Sequence, residues 1–478
     1  MPVFEPDKLA EWTGGSWLAG PPRAVTGFCF DARLIQPGQC FVALTGGARD
    51  GHDFLEQAAQ GGAVAALVEQ PRPIALPQLQ VADSLAAIGA IAAAWRSQFR
   101  QPVVAVTGSC GKTSTKEMLR CLLGENVTHA TSGNWNNRIG VPMTLFGLDP
   151  SRHAFAVIEA GINQPGEMAQ LGQMVQADLN LVTNIGYAHL ELLGSLANIA
   201  HEKSLLAAQA KADTPIILPA EVLQFPAYAQ MAERVIALHE AGRPTPNVAV
   251  RELLDYRIEG DDLEPAVGRG GHIEQRLILG SQTYRIASSS RGITCNAALA
   301  IVAARHLGVA EADIKERIES WRPSEQRGQI QQLGEQTFYV DCYNANPSSM
   351  LDALGAFIRG SSQAVAHMYI LGAMNELGHV ALEQHEWIGR QLKLRPQDCA
   401  AFVGPEALTR AYATGALAAG AQPGQLQCTE VTEKLKSTVA QFKGAIFLKG
   451  SRSYQLEQLV GNKKEEIRNK KEERRNKN

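Results

Sequence analysis

The chain has 478 residues, 45% of them hydrophobic, and a formal net charge of −3 at pH 7. That length is too great for one compact core, so we expect about three domains, and the small charge gives no reason to expect nucleic acid or an anionic membrane as a partner. The eight cysteines are scattered without a CxxC pair, and the longest apolar run, residues 85–95, is shorter than the ~20 residues that span a bilayer. We therefore expect reduced thiols in a cytoplasmic protein without membrane insertion.

The first part of the chain, residues 1–99, alternates short apolar strands with helical stretches, which predicts a small α/β domain. We expect strands at 39–44 and 63–68 and helices at 54–60 and 84–98. Polar residues directly follow the strands, where α/β folds build ligand sites, although ordinary turn residues are the alternative. The candidates in these loops are Asp31, Arg33, Thr45 and Gly46.

A buried strand, a glycine turn and a helix start follow one another in residues 103–119. Glycines let the backbone approach a polyphosphate, amides at a helix start aim positive charge at it, Lys112 adds a full charge and Thr113 a hydroxyl for Mg²⁺. The spacing is GxxGKT, shorter than the usual GxxxxGKT, and an ordinary strand-to-helix turn is the alternative. The predicted phosphate-binding residues are Thr107, Gly108, Ser109, Cys110, Gly111, Lys112, Thr113 and Ser114.

Two more strand ends lie in the domain predicted for residues 100–320. Glu159 ends an apolar strand at 154–159, and His189 follows a second strand at 179–183. A parallel sheet would bring both to the edge that carries the phosphate loop. Mg²⁺ favours carboxylate ligands, whereas a lone histidine is more often structural.

Three residues of this domain have more than one interpretation. Asn137 lies in a loop, residues 131–142, that suits a polar substrate or simply caps the following helix. By composition, Lys203 is a solvated helix lysine. Asn296 lies in an apolar helix at 293–307, where a buried amide needs a partner.

Residues 321–460 predict a further parallel α/β sheet, because each strand is followed by a polar loop and a helix. The predicted strands are 337–340, 368–371, 401–403 and 445–448. Ligand contacts are expected from the loops at 341–347, 372–379 and 449–453, the last of which suits an anion or is a surface turn. Residues 461–478, with eight basic and four acidic side chains, predict a solvated helix or disorder.

Eight segments stand in order along the chain: FVALTGGARDGHDF, TGSCGKTSTKEM, GNWNNRIGVPMTL, VIEAGINQPGEM, AHLELLGS, DCYNANPSSM, LGAMNELG and LKGSRS. Together they resemble the Mur ligases, ATP-dependent enzymes that form amide bonds of the peptidoglycan stem peptide, over about residues 25–460. The resemblance implies a three-domain α/β architecture. A central P-loop ATP-binding domain would be flanked by a small N-terminal α/β domain, which holds a UDP-linked substrate, and a C-terminal Rossmann-like α/β domain.

The resemblance also implies roles for single residues. Glu159 and His189 match ligands of two Mg²⁺ ions, and Lys203 matches a lysine that becomes carbamylated to orient one ion, with a plain lysine as the alternative. The expected metal ligands are Thr113, Glu159, His189 and Lys203, and Lys112 joins the last three as catalytic. Nucleotide contacts are expected from the phosphate loop, Asn296, Arg327 and Asp341. Substrate contacts are expected from Asp31, Arg33, Thr45, Gly46, Asn137, Asn344, Asn346, Lys449, Ser451 and Arg452.

The activity implied is ligation of D-alanyl-D-alanine to UDP-N-acetylmuramoyl-tripeptide through an acyl phosphate, by a cytoplasmic monomer. The chain departs from the family pattern at Ala32, at Ala373 and at residues 290–296, which keep only the second Asn of an adenine-side GxHNxxN pattern. Two alternatives remain open. One is a ligase of this fold with other substrates, as in folylpolyglutamate synthases or cyanophycin-type ligases. The other is a nucleotide-binding protein without turnover.

Overall fold

The computed structural model of the protein describes residues 3–46, 49–259 and 274–461. Its strands form three separate sheets of five, nine and six strands, which follow one another along the chain. The predicted α/β fold with three sheets is therefore confirmed. The charged tail predicted for 461–478 lies outside the described residues, apart from Gly461.

The first sheet has the order β1-β5-β4-β3-β2 and is parallel except where β1 pairs with β5. The predicted strands near residues 40 and 65 and the helix from Ser84 are confirmed, whereas the predicted helix at 54–60 begins as a 3-10 turn, Gly51–Phe54, that Asp50 caps. The strands are β1 (Ser16–Leu18), β2 (Phe28–Cys29), β3 (Cys40–Val42), β4 (Ala65–Val68) and β5 (Gln78–Gln80). The helices are α1 (Pro6–Thr13), α2 (Leu55–Gln60) and α3 (Ser84–Arg96).

The second sheet has the order β14-β13-β12-β11-β10-β9-β6-β8-β7 and is parallel from β7 to β12. The interior strand β6 is buried on both faces, as its unbroken apolar run predicts. The strands are β6 (Val103–Thr107), β7 (Thr128–Ala130), β8 (Phe155–Glu159), β9 (Leu179–Val182), β10 (Ile216–Pro219), β11 (Val235–Glu240), β12 (Glu252–Glu259), β13 (Gln275–Leu279) and β14 (Gln282–Ile286). The helices are α4 (Lys112–Leu123), α5 (Gly140–Phe146), α6 (Glu167–Val175), α7 (Leu190–Leu193), α8 (Leu196–Ala208), α9 (Pro226–Ala229), α10 (Arg291–His306) and α11 (Glu311–Ser320).

The third sheet has the order β15-β16-β20-β17-β18-β19 and is parallel except for the β15–β16 hairpin. The four predicted strands are confirmed as β16, β17, β18 and β20, but the sequence analysis missed β15 because its glutamines leave it half-buried. The strands are β15 (Gln329–Leu333), β16 (Gln336–Asp341), β17 (His367–Gly372), β18 (Cys399–Val403), β19 (Leu426–Thr429) and β20 (Gly444–Lys449). The helices are α12 (Pro347–Gly360), α13 (Ala381–Gly389), α14 (Glu406–Ala418) and α15 (Lys436–Gln441).

Buried contacts join the three layers. Arg96 at the end of α3 donates to Val175 O at 2.9 Å and to Asp178 at 2.8 Å, which anchors the first sheet's helix on the second. On the other side, Asp352 of α12 accepts the N–H of Gly292 at 3.0 Å and so caps α10. No helix in the described ranges is long and apolar enough to cross a membrane.

Candidate active site

The phosphate loop runs from the end of β6 to the start of α4, and it needs both of its glycines. Gly108 and Gly111 have φ values of +145° and +80°, a region that favours glycine. A Cβ at Gly108 would lie 1.9 Å from Thr183 Oγ1, and one at Gly111 would lie 2.4 Å from Asn296 Nδ2. The loop is therefore packed closely between the end of β9 and α10, beside the amide that the sequence analysis singled out.

Side chains after β9 hold this loop in position. Asn184 accepts the N–H of Cys110 at 3.0 Å and donates to its Sγ at 2.8 Å. Thr183 donates its hydroxyl to Cys110 O at 2.5 Å, and Ser109 donates to Gly186 O at 2.8 Å. The first amides of α4 have no partners within the helix, so the fixed loop presents them to a phosphate.

Lys112 is the first residue of α4, and its side chain turns back along the loop. Its Nζ donates to Gly108 O at 2.8 Å. Burial lowers the pKa of this ammonium, and the nearby Glu159 carboxylate raises it. A lysine with one bond to a neutral carbonyl keeps two N–H groups for an anion.

Glu159 lies at the carboxyl end of β8 and is 1% exposed. Its Oε1 accepts from Asn136 Nδ2 at 2.7 Å, while Oε2 is buried and has no hydrogen-bond partner among the described residues. Thr131 accepts the backbone N–H of Glu159 at 2.9 Å, and the fully buried Lys116 donates to Thr131 O at 2.6 Å. A fixed carboxylate with one unpartnered oxygen fits a bound cation.

Lys203 lies on α8 and is 1% exposed, so the composition-based prediction of a solvated lysine is wrong. Its Nζ is buried without a hydrogen-bond partner in the described part of the chain. Burial, together with the positive charge of Lys112, lowers the pKa of this ammonium well below its usual value. The neutral amine is the form that adds carbon dioxide, so this setting fits a carbamylated lysine.

His189 precedes α7 and contacts the third sheet's domain. Its Nδ1 lies 2.5 Å from Oε2 of Glu376, which follows β17. The hydrogen bond from the imidazole lowers the pKa of the Glu376 carboxyl. His189 therefore lies where two domains meet.

Arg327 reaches from the third domain to the phosphate loop. Its Nη2 donates to Thr113 Oγ1 at 3.1 Å, and its guanidinium carbon lies 4.0 Å from the centre of the Tyr343 ring. The ring fixes the plane of the guanidinium through a cation–π contact. Arg327 is thus held beside the residues that would carry phosphate.

The ends of β16 and β20 meet through an ion pair between a buried lysine and a half-buried aspartate. Lys449 Nζ lies 2.7 Å from Asp341 Oδ2 and donates to Asn344 O at 3.0 Å. Asn346 caps α12 by accepting the N–H of Ser349 at 2.9 Å. Asp341, Asn344, Asn346 and Lys449 thus each have a partner within the protein. Their roles as ligand contacts stay predictions.

A cavity of about 500 Å³ lies between the second and third sheets at this edge. Asn137 lines it while its Oδ1 accepts the N–H groups of Ile139 and Gly140, so the helix-capping interpretation also applies. Predicted residues that the cavity brings together are Ser109, Cys110, Gly111, Lys112, Thr113, Ser114, Asn137, Glu159, His189, Asn296, Arg327, Asp341, Asn344, Asn346 and Lys449.

Several predicted residues do not line this cavity. Thr107 donates its hydroxyl to Ala160 O at 2.9 Å, beneath the loop. Ser451 is buried and accepts the N–H of Asn375 at 2.9 Å, and Arg452 donates to Gln326 at 3.0 Å. Gly108 and Lys203 lie behind the lining, and Asp31, Arg33, Thr45 and Gly46 belong to the first sheet's loops.

The first sheet's candidates are bonded to their own neighbours. Arg33 donates to both carboxylate oxygens of Asp31, at 2.9 and 2.6 Å, and lowers the pKa of that carboxyl to about 2. Thr45 donates to Glu69 at 2.6 Å. Gly46 has a φ of +123° and lies next in the same loop.

The residues that line the cavity include few metal ligands. Within residues 3–46, 49–259 and 274–461, no group of three or more His, Cys, Asp and Glu is placed to hold an ion by itself. Mg²⁺ often uses one or two protein ligands and completes its shell with phosphate oxygens and water. The free oxygen of Glu159, the imidazole of His189 and the hydroxyl of Thr113 therefore fit an ion shared with a bound nucleotide.

Sequence analysis missed residues that orient the predicted ones. Apart from Asp352, their sequence signal is membership of the quoted segments, because their partners lie elsewhere in the chain. They are Lys116, Asn136, Tyr343, Asp352 and Glu376.

Comparison with known proteins gives consistent matches. The family described as Mur ligase middle domain matches residues 106–247. The UDP-N-acetylmuramoyl-tripeptide–D-alanyl-D-alanine ligase of Escherichia coli (strain K12) is 34% identical over 93% of this chain and 94% of its own length. The ligase of the same name from Bacillus subtilis (strain 168) is 30% identical over 95% and 96%. A crystal structure of MurF from Acinetobacter baumannii is 28% identical and superposes with a TM-score of 0.81 over 96% of this chain and 98% of that one.

Proposed function

This chain belongs to the Mur ligase family, and from that premise we propose that it joins D-alanyl-D-alanine to UDP-N-acetylmuramoyl-tripeptide at the expense of ATP. The proposal is supported by near-full-length similarity to ligases that carry these substrates in their names. The observation that carries the chemistry is the cavity between the second and third sheets. There a phosphate loop and the Glu159 carboxylate line the cavity, and the buried Lys203 amine is near enough for the charge of Lys112 to lower its pKa. Glu159 Oε2 and Lys203 Nζ have no hydrogen-bond partner among the described residues.

The reaction needs a good acyl donor, because a carboxylate alone is unreactive toward an amine. The terminal carboxylate of the tripeptide attacks the γ-phosphorus of ATP, and the bond to ADP breaks. The amine of the dipeptide then attacks the acyl phosphate carbonyl, loses a proton and expels phosphate. The protein contributes positioning and electrostatic stabilisation to both steps.

The second domain holds the phosphates of ATP during the reaction. The amides of α4 and the Lys112 ammonium hold the phosphates, and Arg327 adds a second cation beside Thr113. Glu159 would hold one Mg²⁺ and His189 a second, and Lys203, once carbamylated, would help to orient that second ion. When bound, these ions offset negative charge on the transferring oxygens.

The first and third domains bind the two other substrates, and the third domain also excludes water from the site. We assign the UDP part to the first sheet's loops at Asp31, Arg33 and Thr45, and the dipeptide to the third domain near Lys449, Ser451 and Arg452. The third domain already contacts the phosphate loop through Arg327, so its closure protects the acyl phosphate from hydrolysis. With all eight cysteines present as free thiols, we place the reaction in the cytoplasm.

The test is phosphate release from ATP with each substrate omitted in turn. We expect release only when UDP-N-acetylmuramoyl-tripeptide and D-alanyl-D-alanine are both present, with mass spectrometry showing the pentapeptide product. Release that is indifferent to both substrates would contradict the proposal. A panel varying the third residue of the tripeptide and the incoming dipeptide then defines the substrate range, and glutamate as acceptor tests the folylpolyglutamate alternative.

A further inference from the structure

The contact between His189 and Glu376 links the second and third domains at the candidate metal site. His189 Nδ1 and Glu376 Oε2 are 2.5 Å apart. Both residues have left-handed backbones, with φ values of +55° and +64°. A residue other than glycine pays roughly 1–2 kcal/mol for this conformation. Two such residues facing each other indicate that this geometry is imposed by the surrounding structure.

Glu376 is carried on a loop that is fixed within its own domain. The N–H of Met374 donates to His385 Nε2 at 2.9 Å, beneath the loop. The N–H of Asn375 donates to Ser451 Oγ at 2.9 Å. The loop therefore presents the carboxylate of Glu376 from a rigid base.

The same loop docks on the segment that follows His189. The N–H of Glu191 donates to Glu376 O at 3.1 Å. A Cβ at Gly378 would lie 3.0 Å from the Glu191 Cα, so the two backbones pack directly against each other. This close approach exists only while the third domain lies on the second.

The pairing decides which nitrogen of His189 can bind a ligand. A carboxylate at Nδ1 holds the proton there and leaves the Nε2 lone pair available. His189 lines the cavity together with Lys112 and Glu159. Histidines that bind metals are commonly oriented by a carboxylate on the other nitrogen, and its loss weakens metal affinity by roughly 10–100-fold.

We propose that Glu376 is a positioning residue that orients His189 for a divalent cation, so that seating of the third domain completes the metal site. The inference rests on the metal site of the proposed function. It assigns to the LGAMNELG segment of the third domain a task at the second domain's metal site.

The test measures cation binding without turnover. Mn²⁺ replaces Mg²⁺, and the free ion is followed by its electron paramagnetic resonance signal in the presence of saturating ADP and no other substrate. We expect Glu376→Ala to raise the Kd for Mn²⁺ about 10-fold, and Glu376→Gln to raise it less because the amide oxygen still accepts from Nδ1. The affinity for ADP measured with EDTA should not change in either variant, since Glu376 is placed on the imidazole and not on the nucleotide.

The matched control is Glu406→Gln, which removes a carboxylate from an exposed ion pair with Arg410 on α14 of the same domain. Equal Mn²⁺ affinity in the parent and in Glu376→Ala would overturn the inference alone, and so would an equal loss in the control. A parent chain that binds no Mn²⁺ with ADP would overturn the metal site of the proposed function as well. If Glu376→Ala does not fold, the isosteric Glu376→Gln decides, and an affinity equal to the parent's then counts against the inference.

Discussion

The cavity between the second and third sheets and the loops of the first sheet satisfy their polar groups in opposite ways. At the cavity, Glu159 Oε2, and near it Lys203 Nζ, are buried without hydrogen-bond partners among the described residues. In the first sheet, Asp31 and Arg33 bind each other at the surface, and Thr45 binds Glu69. At the cavity, a ligand would supply partners to buried polar groups that have none among the described residues. In the first sheet's loops, a ligand would replace hydrogen bonds that already exist between side chains.

This difference separates two kinds of binding. Buried, fixed charges act on developing charge without reorganisation, so their removal lowers the rate of the chemical step. Exposed pairs are screened by water and contribute little by themselves, so their removal changes substrate affinity modestly. The predictions below test this separation, beginning with the largest expected effect.

Lys112→Ala removes the cation of the phosphate loop. We expect substrate-dependent phosphate release to fall about 1,000-fold, because the phosphates lose the cation that the loop itself provides and keep Arg327 beside Thr113. Steady-state assays with both substrates measure the change. Lys443→Ala, which removes an exposed lysine paired with Glu335, is the control and should retain parental activity. A loss of activity below tenfold in Lys112→Ala would contradict the conclusion that the cavity's fixed charges act in the chemical step.

Lys203→Ala removes the buried amine. We expect activity to fall about 100-fold and to recover in part when a short carboxylate such as acetate is added, since a carboxylate can replace a carbamate as a cation ligand. Lys211→Ala, at an exposed position after α8, should show neither effect. Unchanged activity in Lys203→Ala would exclude the metal-orienting role.

His385 supports the loop that carries Glu376, and burial lowers its pKa to about 4. The unfolded chain takes up a proton near pH 6.5 and the folded chain does so only near pH 4, so acid favours unfolding across that window. We expect this histidine alone to remove about 2 kcal/mol of stability between pH 7 and pH 5. Urea unfolding of the parent and of His385→Gln at both pH values measures it. An identical pH dependence in the two proteins would contradict the assignment.

Arg33→Ala opens the surface pair of the first sheet. We expect the KM for the UDP-linked substrate to rise about 10-fold while kcat changes less than twofold, because the proposed function assigns the residue to the UDP part of the substrate, distant from the reacting carboxylate. Arg23→Ala, an exposed arginine of the same domain, should change neither constant. A fall in kcat equal to the rise in KM would show that this region also takes part in the chemical step.

Two departures from the family pattern, Ala373 and residues 290–296, have a clear place in the structure. Ala373 is fully buried, and its carbonyl accepts the N–H of Ser451 at 3.2 Å, so this position offers the cavity no polar side chain. In residues 290–296, Ser290 and Gly292 bind Asp352 of α12, which closes the start of α10 against the third domain. The altered segment therefore has partners of its own.

Much of the site was predictable where chemistry and spacing lie within one segment. The strand, glycines and Lys112 identify the phosphate loop, and Glu159 ends a strand in the same sheet. The antiparallel extension of the second sheet was not predicted, because β13 pairs with both β12 and β14, and these pairings are set by which segments meet in the fold. The burial of Lys203 was not visible in its composition, since its helix has both apolar and charged neighbours.

The sequence by itself determined the α/β fold, the order of the three sheets and the phosphate loop, because apolar periodicity and glycine spacing are local properties. Only the tertiary structure decided that Lys203 Nζ and Glu159 Oε2 are buried without a hydrogen-bond partner among the described residues, and that Glu376 meets His189. The first two facts depend on packing around the second sheet, and the third depends on how the third domain packs on the second. Contacts between residues far apart in the chain are set by packing, and no single segment contains them.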